Sequence, residues 1–310
     1  MINVVNTGIQ HDLAGMCSKW DLKTFIPITI ETSTDDDLGL CCVNQLVLAD
    51  TSGVIYQNDI SSFMYNLGAS TCTLTMYLQK NNVTIATLNT ATYGTYYAKG
   101  SIVYYADQAL MSGYIVEWSK VLALHGEGIY RIKFDYVSFR TTTTFYSNIF
   151  NLRTYSSSRA LGTIRIDSYM NGYIMRENIN YKGLNFPDMV RVRGWFGSAE
   201  EKYEITNDIY ATYNKEKRVV VQRKVNQYDV YDLETHPLPK CIADKIRYYH
   251  FFGNTVYMND YNIFNYDDKL KQIKVYKGEA FDFSYTKTTK GVIIKGKLTE
   301  QVQDLQKTNC

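Results

Sequence analysis

Gly126-Glu-Gly-Ile-Tyr-Arg-Ile-Lys-Phe-Asp-Tyr136 is the stretch that decides the fold class. From Ile129 onward, Tyr130, Ile132, Phe134 and Tyr136 fall on one side of an extended chain, and Arg131, Lys133 and Asp135 fall on the other. Successive side chains of a strand point to opposite faces, so the alternation predicts a strand with one face in a core and one in water. The Gly-Glu-Gly before it supplies the turn that starts the strand. Leu74, Met76 and Leu78 alternate in the same way with Thr75, Tyr77 and Gln79, and Asn81-Asn82 interrupts before Val83 and Ile85. Asparagine tolerates positive φ, so two in succession predict a tight hairpin.

Further strands are expected at residues 23–31, 41–48, 96–105 and 114–118, and so many short strands before residue 145 predict a β-sandwich over residues 1–145. Beyond the Thr141 to Thr144 run the composition turns polar, which sets the expected boundary there. Residues 146–310 then read as a second β-rich domain, with strands at 162–167, 189–196, 208–213, 219–225, 272–277 and 291–298. Within it, Pro237 and Pro239 precede Ile242, Ile246 and Tyr249 at helical spacing, and Gly253-Asn254 follows at the stop. This predicts one amphipathic helix near residues 239–252. The expected fold is therefore mainly β: two sandwich-like or barrel-like domains with one helix in the C-terminal half. No repeat of solenoid or propeller length holds register.

The chain has 310 residues, 45% of them hydrophobic, and 33 basic against 31 acidic side chains. A disordered tail and a polybasic nucleic-acid binder are both poor descriptions of such a composition. Its 28 Tyr suit strands and wet interfaces better than a helical enzyme core. The charges divide unevenly. Residues 1–150 hold 8 basic and 12 acidic side chains, a net of −4, and residues 151–310 hold 25 and 19, a net of +6. Opposite signs on two halves are what head-to-tail contacts exploit, although two ordinarily solvated surfaces give the same count.

No secretory leader and no membrane span is expected, because the start has no basic and apolar regions and no run of eighteen apolar residues occurs. Cys17, Cys41, Cys42, Cys72, Cys241 and Cys310 include no C-x-x-C pair and read as free thiols of a reducing compartment. His11, His125, His236 and His250 lie far apart, none at zinc-ligand spacing from a cysteine, so no metal is expected.

Chemistry-bearing motifs are missing too. There is no phosphate-cradling glycine loop, no G-x-S-x-G elbow and no H-E-x-x-H, so no nucleotide, cofactor or catalytic residue is assigned. Asp35-Asp36-Asp37 and Asp267-Asp268 lack the alternation of a calcium loop and read as solvated turns. Glu117, Glu127 and Asp135 are carboxylates of the type a glycosidase pairs, but one sequence does not show their separation. Lys215-Glu-Lys-Arg218, with Arg223 and Lys224 behind, reads as a charged hairpin tip that blunts a strand edge, with DNA phosphates as the alternative contact. Arg191 and Arg193 share the outward face of one strand beside Trp195, and Arg and Trp anchor interfaces, so these three form the candidate contact patch.

Gly126 to Tyr136 and Leu161-Gly-Thr-Ile-Arg-Ile-Asp167 resemble segments of virion proteins of tailed bacteriophages. Gly183-Leu-Asn-Phe-Pro-Asp-Met-Val-Arg-Val-Arg-Gly-Trp-Phe196 and Tyr257-Met-Asn-Asp-Tyr261 resemble, in particular, the neck and tail proteins of crAss-like podoviruses of gut Bacteroidales. The likeness covers about fifty residues and the overall texture of abundant Tyr and Asn. It implies a structural protein of the virion, made in the host cytoplasm and copied around an axis as a ring or tail hub. Its partners would be itself, portal-proximal rings and fibres, with passive contact to translocating DNA and none to a membrane. Virus assembly and genome ejection are the functions this implies. The alternative is a carbohydrate- or receptor-binding sandwich whose exposed aromatics stack on sugars, and a tail depolymerase is the enzymatic one.

Overall fold

The computed structural model of the chain describes residues 28–29, 44–52, 58–65, 73–88, 92–105, 109–138, 141–147, 149–174, 179–209, 220–238, 240–248, 250–260, 271–275, 281–286 and 291–300. The fold is mainly β. The first part runs through β1 (Ile28–Thr29), β2 (Asn44–Ala49), β3 (Ile60–Tyr65), β4 (Thr73–Lys80), β5 (Val83–Thr87), β6 (Gly94–Tyr104), β7 (Ala109–Glu117), α1 (Trp118–His125), β8 (Gly128–Ser138), β9 (Thr141–Ser147) and β10 (Ile149–Thr154). It continues through α2 (Ser157–Ala160), β11 (Thr163–Met170), β12 (Tyr173–Ile174), β13 (Ile179–Asn180), β14 (Phe186–Ile209), β15 (Val220–Thr235), α3 (Lys240–Tyr248), a 3₁₀ turn at His250–Phe252, β16 (Thr255–Asp260), β17 (Lys271–Val275), β18 (Asp282–Thr286) and β19 (Gly291–Glu300).

The deciding stretch forms β8, with Tyr130, Ile132 and Phe134 buried and Arg131, Lys133 and Asp135 half-exposed. It sits mid-sheet. β4 pairs with it on one edge, and β9 and β10 share the other. The β4–β5 hairpin turns at Asn81 and Asn82, whose φ angles of 51° and 66° are the left-handed values that two-residue hairpin turns require. Facing this sheet is a second one in the order β12-β13-β6-β7-β3. The two sheets enclose one core, crossed by contacts such as Phe63 against Phe134 at 5.4 Å and anchored by the fully buried Trp118.

The third sheet runs β15-β14-β11-β16-β17-β19, and the pairing of β19 back onto β15 closes the path, with β18 added outside. Its core takes Ile164, Ile166, Val190 and Val192 from β11 and β14, and Ile242, Ala243 and Ile246 from the buried face of α3.

The observed elements depart from the expected ones at several points. The helix of the C-terminal half is shorter than 239–252, because α3 ends at Tyr248 and the 3₁₀ turn follows. It is also not the only helix: α1 begins at Trp118, where a strand was expected, since the helical spacing of Trp118, Val121, Leu122 and His125 lasts only two turns and is overshadowed by the strand before it. The division at 145/146 falls inside β9, and the first sheet continues to Thr154. Nor does the second half stay with its own core. β13 pairs with β6, and Tyr181 and Phe186 are buried in the first core. A Cβ on Gly113 would lie 2.9 Å from the Phe186 ring, so the glycine makes room for it.

Because Phe186 plugs the first core from a strand of the third sheet, both halves are expected to unfold in one transition. Phe186→Ala should cost about 3–5 kcal/mol and move that whole transition in scanning calorimetry; two separate transitions in the wild type would contradict the shared core.

Candidate functional site

The candidate contact patch lies on β14. Val190 and Val192 face the third-sheet core, so Arg191, Arg193 and Trp195 point the other way. Arg193 is exposed and Trp195 half-exposed, as the outward face requires, but Arg191 is buried. Its partner is internal. The Arg191 Nε and Nη2 each donate to Asp59, both at 2.7 Å, and Nη1 donates to Thr163 Oγ1 at 3.0 Å. Asp59 precedes β3, and its fully buried carboxylate also accepts from the Leu48 backbone N–H at 2.8 Å. Directly opposite Arg191 in the ladder stands Arg165, which holds Asp167 through two bonds of 2.7 Å. Arg165 Nη1 is 3.9 Å from the same Asp59. Two neighbouring guanidiniums are thus neutralised by two carboxylates, and bidentate geometry is what makes such burial tolerable. Burial pushes the Asp167 carboxyl up, against the pull of Arg165.

The opposite face of the same ladder carries a second buried group. Ser168 of β11 stands opposite Asp188 of β14, and His250 from the turn after α3 packs against both. Ser168 Oγ and His250 Nδ1 are hydrogen-bonded, His250 Nε2 is 3.6 Å from Asp188 Oδ2, and Lys245 Nζ of α3 reaches that oxygen at 2.9 Å. Hydroxyl, imidazole and carboxylate in a row have the composition of a hydrolytic triad. Ser168 and His250 are fully buried, however, so a substrate does not reach the hydroxyl in this conformation. Burial, with the Lys245 ammonium second, holds His250 well below the ordinary histidine range, and burial pushes Asp188 up.

Where the face of Arg193 stays open, a cleft separates the sandwich from the third sheet. Two adjoining hollows of about 500 and 560 Å³ share Leu46, Thr163, Arg193 and His236. The floor of one includes Leu46, Val192, Leu238 and Ile242; the other is bordered by Arg153 and Arg159. Arg159 is positioned by α2, whose first turn is capped by the Ser156 hydroxyl accepting from the Arg159 N–H at 3.3 Å. Glu127 accepts from Arg153 at 3.2 Å and Arg159 at 2.5 Å, and from the Thr154 N–H at 3.0 Å. Those bonds, the backbone one first, hold its carboxyl down at about 2. Arg193 makes no ion pair among the described residues. Three guanidiniums and His236 against one carboxylate make this a cationic cleft with an apolar floor.

The other carboxylates weighed for sugar chemistry are engaged locally: Glu117 with Lys120 at 3.1 Å, and Asp135 with Lys133 at 2.8 Å. A Glu127 held at about 2 is no proton donor near neutral pH. Among the described residues no group of three or more His, Cys, Asp or Glu is placed to hold a metal, and no helix is long and apolar enough to cross a membrane. Asp35–Asp37, Asp267-Asp268, the Lys215–Arg218 tip and every cysteine but Cys241 lie outside the described residues. Sequence reasoning missed Asp59, Arg165, Ser168 and Asp188; the hint of a buried pair was Arg165 and Asp167 alternating with Ile164 and Ile166. No protein-family model matches the chain, and no curated protein matches it.

Asp59→Asn should cost about 3–5 kcal/mol in urea unfolding, because Arg191 is left buried without its counter-charge, and the double change with Arg191→Met should recover part of that loss. His250 gives a pH signature. Folded His250 stays neutral, whereas the unfolded chain takes up a proton below about pH 6.5, so its contribution is complete above that pH and is lost as pH falls toward the folded value. Between about pH 6.5 and 5.5 the wild type should lose up to about 1.4 kcal/mol relative to His250→Gln; parallel stability curves would contradict a neutral buried imidazole.

Proposed function

We propose that the chain is a structural, non-enzymatic component of a bacteriophage tail or neck, assembling with copies of itself into a ring or hub around the genome-ejection conduit. The observation that supports this reading best is the ribbon formed by β14 and β15. Within the third sheet β15 stays paired with β19 as far as Val230, and a register shift in the β14–β15 ladder between Gly197 and Glu200 comes just before the two strands go on alone. From Glu201 to Ile209 on one strand and Val220 to Asp229 on the other, they pair only with each other among the described residues. At about 3.3 Å per residue such a ribbon reaches roughly 30 Å. A two-stranded ribbon is marginally stable by itself in water, so it gains most by lying on another surface. Arms of this kind laid head to tail on successive copies close a ring without a large flat interface. The opposite net charges of the two halves and the resemblance to neck and tail proteins point the same way.

One observation favours the carbohydrate- or receptor-binding reading. Tyr105 and Tyr173, both nearly half exposed, meet edge to face at 5.0 Å on the five-stranded sheet and offer an aromatic ledge to a sugar ring.

Mass photometry over a concentration series, with negative-stain images of the same sample, tests the ring. Closed rings are expected. Joining Glu200 to Val230 through an Asn-Gly turn should leave the unfolding transition in place and reduce the particles to monomers. Rings that survive this deletion, or a wild type that stays monomeric with and without its neighbouring tail proteins, would overturn the reading.

A further inference from the structure

We propose that the free edge of β2 in the cationic cleft accepts an extended, acidic segment of a partner protein as an added strand. Among the described residues β2 is the last strand of its sheet, paired on one side with β10 in parallel register. Its backbone groups alternate between the two sides. The Ala49 carbonyl turns toward the β10 side, where it accepts from the Tyr155 N–H at 2.7 Å. Leu48 turns the other way, its N–H donating to the Asp59 carboxylate and its carbonyl accepting from the Asp59 N–H, both at 2.8 Å. Two residues earlier in the strand, Leu46 must direct its N–H and carbonyl to the same free side as Leu48. That side faces β14, since Asp59 on it binds Arg191, and Leu46, Arg191 and Arg193 line the cleft together.

Among the described residues, Asp59 therefore blunts the edge at Leu48, and the edge stays open at Leu46. An unpaired edge is a template for one more strand, with main-chain bonds giving affinity and the flanking side chains giving selectivity. Here the flanking groups choose the sign. Arg193 has no ion pair among the described residues, His236 is exposed beside it, and Arg153 and Arg159 share the single carboxylate of Glu127. A segment alternating carboxylate and apolar side chains would set the first against these cations and the second on Leu238 and Ile242 of the floor. This inference does not depend on the ring reading, since the cleft is formed within one copy.

The test uses the full chain and a short fluorescein-labelled peptide of alternating Glu and Val, read by anisotropy. Saturable binding is expected, with no binding of the Lys-Val analogue. Arg193→Glu, a change at an exposed position, should weaken binding at least about tenfold, with circular dichroism confirming an unchanged fold. N-methylating the alternate amides of the peptide should weaken it comparably, because those amides are the ones a β edge needs. Absence of saturable binding would overturn the proposal. So would an N-methylated peptide that binds equally well, or an unaffected Arg193→Glu variant, since either would reduce the cleft to an unspecific cationic surface.

Discussion

The structure turns on the buried carboxylate of Asp59. Its side chain takes both Nε and Nη2 of Arg191 and the backbone N–H of Leu48, while its own N–H donates to the Leu48 carbonyl and its carbonyl accepts from the Trp118 N–H at 3.3 Å. One residue thereby ties the edge of β2, the start of α1 and the middle of β14. Trp118 is held a second time, its indole N–H donating to the Ser61 hydroxyl at 2.8 Å. An ion pair this deeply buried adds little net stability compared with apolar residues of equal size, but a mispaired arrangement would strand a charge in the interior. Its consequence is therefore the fixed placement of the sandwich against the third sheet, and with it the position and width of the cleft.

The β11–β14 ladder carries polar groups on both faces, and each face solves its burial differently. On the sandwich side, two Arg and two Asp cancel as charges at distances of 2.7 to 3.9 Å. On the other, a neutral imidazole sits between a hydroxyl and a carboxylate, and Lys245 supplies the compensating charge from α3. The second arrangement fixes α3 and the turn after it on the end of the sheet. Its triad-like composition follows from packing a hydroxyl, a carboxylate and an imidazole together with all three shielded from solvent.

The ribbon and the cleft are both surface features. The ribbon leaves the third sheet at an irregularity in strand pairing, and the cleft opens where Arg193 passes beyond the reach of Asp59. Both features come from the same long strand, β14, on which Val190 and Val192 join the third-sheet core, Arg191 locks to Asp59 and Arg193 lines the cleft.

The period-two pattern of residues 129–136, the Asn81-Asn82 turn and the apolar spacing of Ile242 and Ile246 were all legible, because each depends on neighbours within a few residues. Alternation alone places Arg191, Arg193 and Trp195 on one face, but not what covers each of them. Arg191 meets Asp59 across 132 residues of sequence, and Ser168 meets His250 across 82, with no local period to announce either pairing. In the sequence Asp59 looks like an ordinary turn aspartate, and Tyr181 and Phe186 look like members of the second half. By itself the sequence determined the β class and which residues face together, since those follow from strand geometry. Tertiary structure alone decided which face is sealed and which stays open, because that depends on whether a carboxylate from a distant segment arrives to neutralise a buried arginine.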